Sequence, residues 1–369
     1  MKLICERERL LQAFQIAAGV PVARTPKSIL ENVKLEAIAD VATLMATDLE
    51  MGVRIDVPGI QVEAGGSVIL PIKRGGMILR ESPDEKLTIE SDGTSTRVYG
   101  QRSEFQLPTE NPDEFPNIPA FQEESYHEVS ARFFREMVRR TVFATDAESS
   151  HYALGGVLLE LAEDSIIGVG TDGRRLAVQQ GPGTSFGGHK TVESTVIPSK
   201  AVQLIERAIA DNEDNIQLAA RENSVVLKSR HSTIFSRLVE GRYPRWRDVF
   251  PSRGEMVKIE MPVGPFLAAV RQAAIVTSDE RRGVDFTFSD GKLTLAGHGA
   301  DIGESRVELP IAYQGQEIPV KLDPRYLADF LRVLDPETAI TLHVRNAQSA
   351  IICDTTDNYS YVIMPLFRE

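Results

Sequence analysis

Hydrophobic and polar positions along the chain switch between two periods, and the switch recurs three times. Alternation with period two predicts half-buried strands at 156–161, 166–170, 175–179, 225–229 and 232–238. Apolar residues spaced by three and four predict six amphipathic helices. Three of these begin within Arg9-Leu-Leu-Gln-Ala-Phe, Arg132-Phe-Phe-Arg-Glu-Met and Pro265-Phe-Leu-Ala-Ala-Val. The other three follow Leu70-Pro-Ile-Lys-Arg-Gly-Gly, Ile197-Pro-Ser-Lys-Ala-Val-Gln and Leu322-Asp-Pro-Arg-Tyr-Leu-Ala, where a strand end, a helix start and a basic residue stand in register. The period is about 125 residues, too long for solenoid turns and right for whole domains copied in series. Each copy of roughly 120 residues can bury its own core.

Polar, proline-bearing stretches at Pro108–Pro119 and Glu240–Glu255 separate the copies. The domains therefore read 1–122, 123–251 and 252–369. A strand-rich unit with two helices is α+β, with its helices gathered on one face of an antiparallel sheet.

Net charge is −12, which taken as a sum opposes binding to phosphate. Its distribution changes the picture. At about 100° per residue, Arg132, Arg135 and Arg139 share one helix face, opposite Phe134, Met137, Val138 and Val142. Lys200, Gln203 and Arg207 likewise oppose Val202, Ile205 and Ile209. Basic residues recur in the remaining helices: Arg7 and Arg9, Lys73 and Arg80, Arg271, Arg325 and Arg332. The sheets carry the acid and the helices carry the base. Ordinary solvated helix faces would explain any one helix, but less readily all six.

Catalytic chemistry is missing from the pattern. Gly168-Val-Gly-Thr-Asp-Gly173 fits G-x-G-x-x-G, yet an alternating strand follows it rather than the helix that would receive a pyrophosphate, so it reads as a hairpin turn. The six histidines lack ligand spacing and read as surface residues, and acidic pairs such as Asp279-Glu280 read as solvated. Cys5 and Cys353 have no partner pattern and read as small buried hydrophobes. No cofactor or metal is expected. No apolar run reaches the ~18 residues that span a bilayer, and no basic-then-apolar leader opens the chain, so a cytoplasmic protein without membrane contact is expected.

Over its whole length the chain resembles the bacterial sliding clamp, the beta subunit of DNA polymerase III. The likeness rests on Met1-Lys-Leu-Ile-Cys-Glu-Arg-Glu-Arg-Leu-Leu, Ala46-Thr-Asp-Leu-Glu-Met, Gly170-Thr-Asp-Gly-Arg-Arg-Leu-Ala-Val, Leu238-Val-Glu-Gly-Arg-Tyr-Pro and Tyr361-Val-Ile-Met-Pro-Leu, in that order. The resemblance implies a head-to-tail homodimer forming a ring of six similar domains, with helices lining the hole and sheets forming the rim. A non-catalytic processivity factor encircling double-stranded DNA is thereby expected, holding it by topology rather than by tight contact. The implied DNA-facing residues are Arg24, Lys73, Arg132, Arg135, Arg139, Lys200 and Arg207.

The same resemblance implies a second function. Short peptides of the polymerase III alpha subunit, the clamp loader, other polymerases and repair proteins would enter a hydrophobic pocket. Its matching residues are Leu154, Thr171, Gly173, Arg174, Leu176, Pro244, Val249, Tyr326, Ser349, Val362, Met364, Pro365 and Leu366. Asp248 stands where a basic residue is common in the family, and Phe367-Arg368-Glu369 runs past the usual end. Ring closure would use Phe105 and Leu107 on an edge strand and Ile275 and Val276 at a helix end, with Lys73 or Arg74 available to Glu304 or Glu308. Two other readings stay open on the residues alone: a nucleotide enzyme built on the Gly168–Gly173 turn, and a repeat scaffold that binds only proteins.

Overall fold

Each of the six principal helices starts directly where a strand ends, so one strand-to-helix step is used six times. The helices are α1 (Arg7–Ala17), α2 (Ile72–Glu81), α3 (Ala131–Thr141), α4 (Ser199–Ala208), a four-residue α5 (Trp246–Val249), α6 (Val263–Ala273) and α7 (Pro324–Arg332). Proline occupies the N-cap of α2, α4 and α6, namely Pro71, Pro198 and Pro262. Its restricted φ ends the strand in an extended conformation and aims the chain into the helix. Asp323 caps α7 by accepting from the Arg325 amide at 3.0 Å, with Pro324 in the first turn. These features are local, which is why the helices were readable from sequence.

The structure is a computed structural model that describes residues 1–20, 25–146, 148, 153–190, 194–209, 215–278, 282–299 and 302–366. The chain divides into two compact units. One comprises Met1–Arg135, Leu161–Asp164 and Pro182–Val239; the other comprises Glu136–Glu160, Ser165–Gly181 and Glu240–Glu369.

The first unit holds two sheets. A five-stranded sheet runs Ile60–Ala64, Lys2–Glu6, Lys86–Ser91, Ser95–Tyr99, Glu104–Pro108. A nine-stranded sheet runs Thr184–Phe186, Tyr126–Ser130, Asn215–Ala220, Ser224–Lys228, Ser232–Arg237, Met51–Val57, Val41–Thr47, Asn32–Ile38, Gly66–Pro71. Its continuity depends on the ladder Ile234↔Val53, Phe235↔Gly52, which fuses strands from successive repeats. Helices α1 and α2 pack closely because Gly75 lacks a side chain; a Cβ there would lie 2.8 Å from Phe14 Cζ. The proline-bearing stretch after the first repeat is not a loose linker. Phe115 and Ile118 are buried in a small cluster with Ile29, Leu30, Met45 and Ile69, and two apolar anchors of this kind contribute roughly 1.5–3 kcal/mol each.

In the second unit a large sheet runs Gly156–Leu161, Ser165–Thr171, Arg175–Pro182, Tyr359–Ile363, Ile351–Asp354, Ala339–Val344, Val257–Pro262, and a four-stranded sheet runs Gly303–Pro310, Lys292–Gly299, Val284–Ser289, Ile318–Leu322. Every described ladder is antiparallel. Phe266, Phe286, Phe288 and Phe330 fill the core, where the Phe330 ring stacks on Tyr361 at 4.8 Å.

Cys5 and Cys353 are buried and unpaired. Burial pushes the Cys5 thiol up to about 12, although its bond to the Leu87 carbonyl partly opposes the shift. Burial also raises the Cys353 thiol. Of the described histidines, His231 and His298 are exposed as expected, but His127, His189 and His343 are buried. Each has a polar partner. His127 and His189 meet Nδ1 to Nδ1 at 2.7 Å, and His343 Nε2 lies 2.9 Å from Asp354 Oδ2. Asp279-Glu280 and His151 lie outside the described residues. None of the described helices is long and apolar enough to cross a membrane.

Candidate nucleic-acid and peptide interfaces

Side-chain amphipathicity places the candidate DNA-facing cations. On α3, Arg132 and Arg139 are exposed and Arg135 is half-buried, while Phe134, Met137 and Val138 turn inward. Lys73 on α2 is exposed, as are Arg74 and Arg80. The two cations of α4 are engaged within their own unit. Lys200 Nζ donates to the Val20 carbonyl at 2.8 Å and to Asp48 Oδ2 at 3.0 Å. Arg207 lies over Gly19, where an added Cβ would be 3.1 Å from its guanidinium. Both cations therefore sit at the carboxyl end of α1, where orphan carbonyls and the helix dipole favour positive charge. Arg24 lies outside the described residues.

The candidate peptide site is assembled by one ladder and one hairpin. Arg175–Pro182 pairs with Tyr359–Ile363 in the register Leu176↔Val362, and the Met364 amide extends the pairing to the Arg174 carbonyl at 2.9 Å. Opposed residues share a sheet face, so Arg174, Leu176, Val362 and Met364 form one surface. The intervening Arg175, Ala177, Tyr361 and Ile363 face the other way. Gly168–Thr171 is the end of the strand Ser165–Thr171 rather than part of the turn expected there, and the hairpin turns at 172–174: Thr171 Oγ1 donates to the Arg175 carbonyl at 2.6 Å and accepts from the Gly173 amide at 3.1 Å. Gly173 has φ +85°, in the left-handed region that favours glycine.

Of the candidate pocket residues, Leu154, Leu176 and Val362 are buried, whereas Val249 and Met364 are 68% and 45% exposed. Val249 ends α5, which is anchored from beneath. Trp246 Nε1 and Arg247 Nη1 donate to Glu160 Oε1 at 2.9 and 2.7 Å. Burial favours the neutral Glu160 carboxyl, but these donors more than offset it and hold its pKa below the ordinary carboxylate value. Pro244 follows the buried Tyr243, whose hydroxyl donates to the Val169 carbonyl at 3.0 Å. Asp248 is ion-paired with Arg245 at 3.0 Å. Ser349 closes a turn on Asn346 Oδ1 at 2.9 Å, Pro365 is buried, and the Leu366 amide donates to the Lys321 carbonyl at 2.7 Å.

The candidate closure residues divide by exposure. Glu104–Pro108 is a terminal strand of the five-stranded sheet, with Phe105 36% exposed and Leu107 buried. Beyond α6, Ile275 is 74% exposed and Val276 half-buried. Glu304 and Glu308 already have partners within their sheet, His298 at 3.6 Å for the former and Lys292 and Arg306 for the latter.

Residues 1–119, 128–245 and 247–367 match, in turn, the N-terminal, central and C-terminal domains of the DNA polymerase III beta subunit. The chain belongs to that family. The beta sliding clamps of Proteus mirabilis and Chlamydia pneumoniae are 29% and 27% identical to it, each alignment covering 99% of this chain and 100% and 99% of the relative. The DNA polymerase sliding clamp of Bacillus subtilis superposes with a TM-score of 0.90 at 22% identity over the full length of both chains, a likeness of fold. The chain is accordingly a sliding clamp, a non-catalytic processivity factor of the beta-subunit type.

Within this beta subunit, two arginines were not singled out by sequence reasoning. Arg175 bridges Asp172 and Asp329, each at 2.9 Å, and stacks over the ring of Tyr326 at 4.5 Å. It thereby positions Tyr326, whose carbonyl also accepts from the Tyr361 hydroxyl at 2.9 Å. The signal was present in the alternation, which turns Arg175 away from the face of Arg174 and Leu176. Arg140 is 7% exposed and donates to Gln179 and Asp357, both at 2.7 Å, with Glu136 at 2.6 Å. It sits next to the exposed Arg139, and only packing tells the two apart.

Proposed function

We propose that two copies of this chain close head to tail into a ring of six domains, 1–122, 123–251 and 252–369 from each, around double-stranded DNA in the cytoplasm. The observation that carries this reading is the exposed cationic face of α3, Arg132 and Arg139, on a chain whose net charge is −12. A duplex bears one charge per ~1.7 Å of axis, so a basic lining attracts it without reading sequence, while surplus acid elsewhere repels other DNA. Lys73 and Arg135 belong to the same lining. Lys200 and Arg207 contribute field rather than close contact, because Lys200 already donates to Val20 and Asp48 and the Arg207 guanidinium lies against Gly19. Closure pairs the Glu104–Pro108 edge and Phe105 of one copy with the Ile275 region of the other, which protects a strand edge that would otherwise invite aggregation.

The surface of Arg174, Leu176, Val362 and Met364, together with Val249, is the proposed receptor for short apolar peptides of the polymerase III alpha subunit, the clamp loader and repair proteins; Tyr326, held by Arg175 and Tyr361, belongs to the opposite face of the sheet. Flexible methionine and buried aliphatic side chains supply an adaptable apolar floor. Loading onto a nicked circular plasmid tests the ring. The loaded protein should stay with the circle through gel filtration and be lost when the plasmid is linearised. The triple variant Lys73→Ala, Arg132→Ala, Arg139→Ala should load poorly yet remain dimeric and folded. Equal loss from circular and linear DNA would overturn encirclement, and undiminished loading of the triple variant would overturn the assigned lining.

A further inference from the structure

The three repeats differ at one sheet edge. In the first, the strand Lys2–Glu6 that leads into α1 is covered on its outer side by Ile60–Ala64, in the register Leu3↔Val62 and Cys5↔Ile60. In the second, Tyr126–Ser130 leads into α3 and is covered by Thr184–Phe186. In the third, Val257–Pro262 leads into α6, pairs with Ala339–Val344, and is the last strand of its sheet. The segment that would supply the cover directs its backbone elsewhere. The Ile311 amide donates to the Gly291 carbonyl at 3.1 Å, and the Gly291 amide donates to the Tyr313 carbonyl at 2.8 Å. Among the described residues no backbone hydrogen bond joins 311–317 to Val257–Pro262.

Two open clefts flank the bare edge. Val257, Tyr313, Ile318 and Pro319 contribute to one, and Lys258, Glu260, Ala312 and Thr341 to the other. The buried Ile259 and Met261 occupy the places of Leu3 and Cys5, four and two residues before the first residue of the helix that follows each strand. By the same alignment Lys258 occupies the place of Lys2. Lys2 is ion-paired at 2.9 Å with Glu63 of its covering strand. Lys258 is exposed and has no ion-pair partner among the described residues.

We propose that the outer edge of Val257–Pro262 is a strand-addition site for an extended partner segment that places an apolar side chain opposite Ile259 and a carboxylate on Lys258. The first repeat supplies the pattern, in which Val62 and Glu63 serve Leu3 and Lys2. Main-chain hydrogen bonds would give the affinity, and the alternate side chains the selection. The inward side chain would sit beside Val257 and Tyr313, in the first cleft. An unpaired edge bearing a charged residue resists unselective pairing, which makes an acidic segment the favoured one.

The probe is a capped, fluorescently labelled peptide, Gly-Ile-Gln-Val-Glu-Ala, copied from residues 59–64. Anisotropy titration against the intact protein, without DNA, should show saturable binding with a dissociation constant of about 1 mM or tighter, the range of weak transient contacts. Replacing the peptide glutamate with lysine turns an attraction into a repulsion and should weaken binding about tenfold, and Lys258→Glu in the protein should restore it; tenfold corresponds to about 1.4 kcal/mol. Lys258→Gln, which keeps the stem and removes the charge, should bind both peptides alike. Amide hydrogen exchange should slow in Val257–Pro262 on peptide addition. Absence of saturable binding, indifference to both charge changes, or protection confined to Lys2–Glu6 would overturn the proposal.

Discussion

Replacing Arg140 with methionine should destabilise the second unit by about 2–7 kcal/mol. The figure is built from the partners the guanidinium leaves behind. Gln179 is 1% exposed, and its Oε1 would lose its donor in a place water does not reach, a loss of about 1–3 kcal/mol. Glu136 and Asp357 are 44% and 50% exposed, so water resolvates them and each ion pair contributes nearer the surface value of about 0.2–1 kcal/mol. The cation over the Tyr359 ring, 5.0 Å from its centroid, adds about 0.5–2 kcal/mol. Methionine keeps most of the apolar stem, so little cavity cost is added. Acid should sharpen the comparison. Burial raises the Asp357 carboxyl, but its bonds from Thr355 and Arg140 outweigh this and hold it below the ordinary carboxylate value. A lowered carboxyl contributes stability above its unfolded pKa that is lost as pH falls through the folded one, so R140M should lose less on acidification than the wild type. Trp246, the sole tryptophan, lies in the same unit, and its fluorescence during urea unfolding at fixed protein concentration reads the effect. A loss below about 1 kcal/mol at neutral pH, against the sum above, would refute the partner accounting. Strict additivity with Asp357→Asn would refute the coupling between the two groups.

Gly170→Ala should cost about 2–4 kcal/mol, because a Cβ there would lie 2.1 Å from the Thr141 carbonyl oxygen; thermal unfolding close to that of the wild type would contradict the packing. The His127–His189 pair should make the first unit acid-sensitive. The Ala220 amide donates to His189 Nε2 at 3.0 Å, so His189 donates through Nδ1 to His127, which donates through Nε2 to the Ala162 carbonyl at 2.7 Å. Burial and then His127 lower the His189 pKa, opposed by the Ala220 carbonyl and by Glu123, itself ion-paired with Arg221. The contribution of neutral His189 is therefore complete above about pH 6.5 and declines as pH falls below it. Urea midpoints at pH 7.5 and 5.5 should differ more in the wild type than in His189→Gln, and an equal difference would count against the pair. Deleting residues 364–369 removes the Met364 and Leu366 backbone bonds to Arg174 and Lys321. It should cost about 1–3 kcal/mol and abolish binding of a polymerase-derived clamp peptide while the dimer persists; retained peptide binding would show that the receptor lies elsewhere.

Much of the fold was legible because its signals are local. The strand at Gly156–Leu161 was read to the residue, and Leu70-Pro, Ile197-Pro and Leu322-Asp-Pro marked the starts of α2, α4 and α7 within a residue or two. The outward and inward faces of α3 and α4 followed from periodicity alone. What sequence could not supply is which polar group meets which. Lys200 and Arg207 lie on an exposed face as expected, but their pairing with Val20 and the Gly19 turn depends on residues ~180 positions away, beyond any periodic signal. The three buried histidines were misjudged for the same reason, since a histidine's burial depends on finding a distant partner. Pro108–Pro119 looked like a linker because its prolines and acids dominate its composition, while Phe115 and Ile118 do the packing.

The inertness of the two native thiols has a practical consequence. Alkylating reagents require a thiolate, and burial leaves Cys5 and Cys353 with almost none at neutral pH. A single thiol introduced at an exposed position, Ser252→Cys for example, would then take up a maleimide dye alone, with both native cysteines left in place. One fluorophore per chain would let two labelled copies report subunit exchange by energy transfer in the otherwise unmodified protein.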